Sequence, residues 1–299
     1  MNISSFTPSI LNQNDYSTYA AAWVNTASDP DTSDLSNYFC SFILKEGSKE
    51  FKILIDRVNF KAGSIAQLLS TVGASNIKAR FILQPAAAGS TEQYFSLVLF
   101  ATDAFNTRLS SYYVSEPYWQ DTAAAEALAR NVKTYIESGA SYNANGVIDD
   151  AVPVPFMGAI PDALAMTWVA HWYLASLDVT FNGAKLVPAI VNGSYGFLRG
   201  YTFDLEDFLA PLRQVPSSLV LNEPDTLIAI KLGLHAYSYA NPNGDNVPTQ
   251  TLGLIVQYPT STLGSAKMAA SATANDQLTV GDDGGSVFYD MSSPCPPSC

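Results

Sequence analysis

YFSLVLFAT, residues 94–102, is an almost continuous apolar run, and it decides the fold. Its length and its aromatic and aliphatic content predict a buried strand. The preceding stretch, residues 77–83, alternates Lys78 and Arg80 with apolar residues, which is typical of a strand with one buried face. A loop joins the two stretches, so we expect an antiparallel hairpin.

The second half of the chain carries a similar pair of predicted strands. Residues 227–234 and 252–258 flank a turn-rich loop, Asn241-Pro-Asn-Gly-Asp-Asn246. Asn, Gly and Pro are the residues that hairpin connections favour. The sequence Ser-Leu-Val-Leu at 96–99 matches Gly-Leu-Ile-Val at 253–256, which lies 157 positions later.

Two further features recur in the same order. A helix predicted from Asp15 carries Trp23-Val24, and a helix predicted from Asp162 carries Trp168-Val169, 145 positions later. A strand then runs into a short helix, and Ile55-Asp56 matches Phe203-Asp204 at an offset of 148. Three matches in order predict a tandem duplication. The alternative is that unrelated α+β domains share this order.

The predicted fold class is α+β, with two similar modules. Each module is expected to be a mainly antiparallel sheet with helices packed on one face. The expected divisions are a first module at 1–120, a connecting helix and linker at 121–161, a second module at 162–260, and a flexible acidic tail at 261–299. The linker is inferred from its Gly, Pro and Asn content, and the tail from its loss of periodicity.

Composition excludes several classes of protein. The 299 residues include 15 Lys and Arg, 27 Asp and Glu and 2 His, for a net charge of −12. Charged residues are 14% of the chain, against about 25% in an average domain. Nucleic-acid binding is not expected, because it needs clustered basic residues. No apolar run reaches membrane-spanning length and no secretory signal is evident, so we expect no membrane span and a cytoplasmic location.

Catalytic motifs are weak. His171 and His235 are too few for a zinc site of the usual kind. Asn192-Gly-Ser-Tyr-Gly196 lacks the first Gly of a nucleophile elbow, and phosphate-binding loops are missing from the sequence. We therefore predict no catalytic residue and no cofactor, lean against an enzyme, and leave metal binding undecided.

Four aromatic residues fall within eight positions at the end of the first predicted module. They are Tyr112, Tyr113, Tyr118 and Trp119. Aromatic side chains are enriched in binding surfaces, so these residues are a candidate patch for protein or carbohydrate. The alternative is that they close the core.

The chain ends in Ser-Ser-Pro-Cys-Pro-Pro-Ser-Cys, residues 292–299. Cys295 and Cys299 can form a small disulfide loop or hold a soft metal with help from other ligands, and Pro296 and Pro297 keep the segment extended. Together with Trp23-Val24 and the strand pattern, this ending resembles a group of small, uncharacterised Bacteroidetes proteins that end in Pro-Cys-Pro-Pro-x-Cys. The resemblance implies a bacterial source and the same fold class, in two copies, and it implies no activity.

Three functional hypotheses follow. The first is a non-enzymatic binding or self-assembly protein, whose aromatic and polar surface of low charge contacts a protein partner, another copy of itself or a carbohydrate. The second is a carbohydrate-active hydrolase of unfamiliar type that uses Asp and Glu carboxylates. The third treats the Cys- and Ser-containing tail as a substrate for modification or processing.

Overall fold

Every strand pair in the computed structural model of the chain is antiparallel among the residues that it describes. The fold is therefore α+β, as the sequence predicts. The described residues are 9–28, 35–46, 49–87, 89–117, 159–160, 168, 172, 198–214, 227–240, 246–258 and 287–289.

The first half of the chain alternates short helices with strands. Its elements are β1 (Ile10–Leu11), α1 (Gln13–Ala27), α2 (Ser36–Phe39), β2 (Cys40–Glu46), β3 (Lys49–Leu54), β4 (Arg57–Lys61), α3 (Ala62–Leu69), β5 (Asn76–Pro85), β6 (Gln93–Thr102) and β7 (Tyr112–Val114).

The second half is described over fewer residues. Its elements are β8 (Ala159–Ile160), β9 (Gly200–Asp204), α4 (Leu205–Gln214), β10 (Leu227–Ala240), β11 (Asn246–Tyr258) and β12 (Val287–Tyr289). Trp168 and Trp172 are helical as well.

The strands form two five-stranded sheets and one hairpin. The first sheet has the order β1-β7-β6-β5-β9, the second has the order β4-β10-β11-β12-β8, and β2 pairs with β3. Strand β9 comes from the second half of the chain and joins the first sheet, whereas β4 comes from the first half and joins the second sheet. The prediction of two modules, one sheet to each half, is therefore not confirmed.

Helix α1 begins at a polar cap. The Asn12 side chain accepts a hydrogen bond from the Asp15 N–H at 2.9 Å. Asn12, rather than Asp15, is thus the N-cap, and Asp15 lies in the first turn, where a negative charge favours the helix N-terminus. Further along the helix, Trp23 is fully buried.

One large apolar cluster draws its side chains from both halves. Phe81 on β5 packs edge-to-face on Phe95, with ring centroids 5.2 Å apart, and Trp23 meets Phe81 at 5.3 Å. Phe203 and Phe208 from the second half belong to the same cluster. Burial of this shared apolar surface is the main term that holds the halves together.

Several predicted boundaries differ from the observed ones. Val287–Tyr289 was expected in the tail, yet it forms β12 and pairs with β11. Ala159–Ile160 was expected in the linker, yet it forms β8 and pairs with β12. The predicted connecting helix and the Cys-Pro ending lie outside the described residues.

Candidate functional site

Three strand ends meet at one end of the first sheet. Asn76 opens β5 and is the register partner of Thr102, the last residue of β6. On its other side Asn76 is the partner of Asp204, the last residue of β9. The loop that enters β5, the loop that leaves β6 and the start of helix α4, which follows β9 directly, therefore lie at the same end of the sheet.

The loop after β6 is held in one conformation by its own hydrogen bonds. The Asp103 carboxylate accepts from the Phe105 N–H at 2.9 Å and from the Thr107 N–H at 2.8 Å. The Asp103 N–H donates to the Thr107 carbonyl at 3.0 Å. Asn106 has a φ of 65°, a left-handed conformation that Asn tolerates better than most residues.

This ordered loop presents an aromatic ring to solvent. Phe105 is 88% exposed, and Val72, in the neighbouring loop between α3 and β5, is 93% exposed. Leu109 lies between the two loops and is 40% exposed. A side chain at Gly73 would come to about 3.6 Å from Leu109, which shows how closely the two loops approach each other.

Acidic residues lie at the same end of the first sheet as these apolar residues. Asp103 is half-buried, whereas Asp204 and Glu206, at the start of α4, are exposed. The loop is tied to this region by Asn76, whose side chain donates to the Asp103 carbonyl at 3.5 Å. We call this group the end surface, and it consists of Val72, Asp103, Phe105, Leu109, Asp204, Glu206 and Asp207.

Asp207 caps its own helix. Its carboxylate accepts a hydrogen bond from the Asp204 N–H at 3.0 Å, which satisfies a donor at the start of α4. Burial raises the pKa of the Asp207 carboxyl to about 6, and the charges of Asp204 and Glu206 also raise it, against the opposing effect of the hydrogen bond. The negative charge of the end surface therefore depends on pH near neutrality.

The aromatic residues singled out from the sequence do not form an exposed patch where the structure describes them. Tyr112 and Tyr113 are each 6% exposed. Tyr118 and Trp119, the other two, lie outside the described residues. Both tyrosines lie on β7, between β1 and β6, with Tyr113 in the large apolar cluster and Tyr112 in a smaller one.

Tyr112 belongs to a stack under helix α1. Its ring stacks on Tyr16 with a centroid distance of 3.9 Å, and the Arg108 guanidinium lies 4.4 Å from the Tyr112 centroid. The Tyr112 hydroxyl donates to the Gln13 side chain at 3.1 Å. Burial raises the pKa of Tyr16, although the nearby Arg80 charge opposes the rise. These contacts tie the helix to the sheet.

The structure also describes the backbone of His235 and the carboxylate of Glu116. His235 lies in the middle of β10, where it pairs in register with Thr251. Glu116 accepts a hydrogen bond from the Ser9 hydroxyl at 2.7 Å and pairs through its backbone with Asn59. The remaining sequence candidates lie outside the described residues; they are His171, the segment 192–196, Cys295, Pro296, Pro297 and Cys299.

Metal ligation has no candidate cluster in the part of the chain that the structure describes. Three or more His, Cys, Asp or Glu residues in ligating proximity do not occur among those residues. Likewise, the described helices include none that combines the length and apolar character needed to cross a membrane.

Sequence reasoning missed Phe105, which is the most informative exposed residue of the end surface. The signal was present in Asp103-Ala-Phe-Asn106, since Asp and Asn favour tight turns that bond to their own backbone. When such a turn directly follows a buried strand, the residues between the Asp and the Asn, here including Phe105, lie at the tip of the turn. The continuous apolar run at 94–102, directly before this turn, predicts a strand but gives no information on the turn itself.

Comparison with known proteins gives no match. No family model matches the chain, and neither a curated protein nor a solved structure matches it. The described surface of the chain is therefore the basis for a functional proposal.

Proposed function

We propose that this is a non-enzymatic binding protein that docks on a protein partner through the end surface. The observation that carries the proposal is Phe105, 88% exposed at the tip of a loop whose backbone is fixed by Asp103. A loop whose backbone is fixed before binding loses little backbone conformational entropy on docking. Aromatic anchors of this kind dominate the energetics of many interfaces.

The chemistry of the end surface defines the partner. Phe105 and Val72 supply an apolar tip, so the partner offers a pocket of the size of a phenyl ring. Asp103, Asp204 and Glu206 supply a negative rim, so Lys or Arg residues border that pocket. The chain's net charge of −12 strengthens the attraction to a basic surface over longer distances.

Self-association through this same surface is disfavoured. Two copies meeting at the end surface would bring acidic rims together, and like charges in contact oppose binding. The proposed partner is therefore a different protein. The carbohydrate, hydrolase and tail-modification hypotheses remain hypotheses, since Tyr118, Trp119, Cys295 and Cys299 lie outside the described residues.

Site-specific photocrosslinking in the organism that encodes the protein tests the proposal. A benzoylphenylalanine replaces Phe105 in one variant and Thr91 in a control. Thr91 is exposed in the β5–β6 connection, at the opposite end of the same hairpin. We expect a discrete covalent adduct with one protein from position 105 and none from position 91.

Two added substitutions sharpen the outcome. Asp103→Ala removes both side-chain hydrogen bonds that fix the loop, and should reduce the adduct at position 105 severalfold. Asp103→Asn keeps an acceptor oxygen and should reduce it less. Equal labelling from positions 105 and 91, or no adduct from position 105, would refute the proposed docking surface.

A further inference from the structure

The two sheets exchange one strand each, and the exchange is reciprocal. Strand β9 from the second half adds to β5, with Phe203 opposite Ile77 and Thr202 opposite Lys78. Strand β4 from the first half adds to β10, with Phe60 opposite Ile228. Each half thus completes its sheet with a strand of the other half.

The elements on either side of the exchange follow one order. In the first half the order is β4, α3, β5, β6 and β7, and in the second half it is β9, α4, β10, β11 and β12. In each sheet the short last strand also pairs with a two-residue strand, β1 with β7 and β8 with β12. Both five-stranded sheets therefore have the same topology.

Two backbone hydrogen bonds repeat across the exchange. The Phe81 N–H on β5 donates to the Arg199 carbonyl at 3.0 Å, and the Leu232 N–H on β10 donates to the Asp56 carbonyl at 2.8 Å. Arg199 directly precedes β9, and Asp56 directly precedes β4. The same register and the same bond thus occur at both junctions.

Two tryptophans repeat the pattern with their side chains. The Trp23 indole N–H donates to the Leu198 carbonyl at 2.8 Å, and the Trp172 indole N–H donates to the Ile55 carbonyl at 2.6 Å. Each acceptor lies two residues before an exchanged strand. Both indoles are fully buried, so each half anchors the entry of the other half's strand in the core.

The exchanged segments also bury matching positions. Val58 and Phe60 on β4 and Tyr201 and Phe203 on β9 are at most 3% exposed. The following helices each bury a large apolar residue, Ile65 in α3 and Phe208 in α4. Two unrelated α+β domains can share an order of elements by chance. Chance does not explain why β9 pairs with β5 in the same register as β4 pairs with β10.

We propose that the chain is a tandem duplication of one unit whose two copies exchange a strand-helix segment. One polypeptide then reproduces the contacts of a strand-exchanged two-fold dimer. The interaction surface of the first unit is the edge of β5, in the hairpin β5–β6, together with Trp23. The interaction surface of the second unit is the edge of β10, in the hairpin β10–β11, together with Trp172. The partner that fits this edge is the strand-helix segment of a second copy of the unit. This inference is independent of the proposed binding function.

Disulfide trapping in the full chain tests the exchange. The background carries Cys40→Ser, Cys295→Ser and Cys299→Ser, and a protease site is inserted after Gly146. Register partners on neighbouring strands lie within the range that a disulfide can span. Cysteine pairs are then placed at register partners that the exchange brings together, Lys78 with Thr202 and, independently, Asn59 with Ala229.

After oxidation and cleavage, both of these pairs should hold the two fragments together on a non-reducing gel. The matched controls are Asn59→Cys with Lys78→Cys, and Thr202→Cys with Ala229→Cys. If the two units did not exchange strands, β4 would pair with β5 and β9 with β10, and each control pair would then meet within one fragment. We expect neither control pair to close. The proposal would be overturned if the fragments separate in the exchanged variants and the control pairs close. Replacing buried Lys78 could itself cause misfolding, and the second exchanged pair, which leaves Lys78 in place, controls for this.

Discussion

At the scale of single residues, the carboxyl group of Asp207 joins the stability of the fold to the charge of the end surface. Its pKa of about 6 lies above its ordinary value of 3.8, chiefly because of burial. The folded state therefore binds this proton more tightly than the unfolded state does. The stability contributed by protonation is present below pH 4 and is lost as the pH rises to about 6.

Asp207→Asn should stabilise the protein only at higher pH. The amide oxygen keeps an acceptor for the Asp204 N–H, and no charge has to be buried. We expect the free energy of unfolding to rise by about 1 kcal/mol at pH 7.5, after allowance for solvent screening of this half-exposed group, and to change little at pH 4.

Urea denaturation at the two pH values measures this difference. Glu92→Gln is the control, since it removes a charge from an exposed position in the β5–β6 connection, at the opposite end of the first sheet from Asp207. A gain from Asp207→Asn that is equal at both pH values, or equal to that of the control, would contradict the assigned cause.

At the scale of elements, the contact between β9 and β5 depends on Gly200. This residue has a φ of 143°, and a side-chain carbon placed on it would overlap the Ala79 carbonyl oxygen. No L side chain fits so close an approach. At the equivalent place in the other exchange, Arg57 of β4 lies opposite Lys231 of β10, so the requirement for glycine belongs to one junction alone.

Gly200→Ala should therefore destabilise the protein by about 3 kcal/mol or more, since the backbone must move to remove the overlap. Gly89→Ala is the control, because Gly89 has a φ of 78° but meets no atom within 4 Å. Its expected cost is about 1 kcal/mol from backbone strain alone. Thermal unfolding of both variants compares the costs, and equal values would show that β9 does not approach β5 this closely.

The two indole hydrogen bonds allow a test of the same element contacts from the side chains. Trp23→Phe and Trp172→Phe each remove a donor from a buried carbonyl and leave a small void. We expect each to lower the free energy of unfolding by about 2–3 kcal/mol. Tyr19→Phe on the half-exposed face of α1 should cost less than about 0.5 kcal/mol. A large cost from one tryptophan and none from the other would contradict reciprocal anchoring.

Local sequence patterns predicted several elements well. Residues 94–102 form most of β6, residues 77–83 lie within β5, and Phe203-Asp204, expected where a strand runs into a helix, ends β9 directly before α4. Strand β4 was missed although Arg57-Val-Asn-Phe-Lys61 alternates polar and apolar residues and buries Val58 and Phe60, because a run of only five residues between a longer predicted strand and a predicted helix gives a weak signal. That omission moved the predicted match to Ile55 with Phe203, whereas strand pairing places Phe60 and Phe203 at corresponding positions.

At the scale of the whole molecule, the pairing of the strands could not be read from the sequence. Periodicity reports which face of a strand is buried, but it does not report which edge meets which neighbour. The exchange of β4 and β9 therefore had no local signal. The end surface was missed for a related reason, because Val72 and Phe105 lie in two loops and Asp204 lies at the junction of β9 with α4, and these segments are distant in the sequence.

The central claim is that both halves form one interlocked core, and native-state hydrogen exchange on the full chain tests it most directly. The amides of Phe81 and Leu232 donate across the two exchanges, to Arg199 and to Asp56. We predict that both amides exchange only through global unfolding, with equal free energies of opening and the same dependence on denaturant. Opening of one sheet at a distinctly lower free energy, while the other stays protected, would show that the halves unfold separately and would contradict the claim.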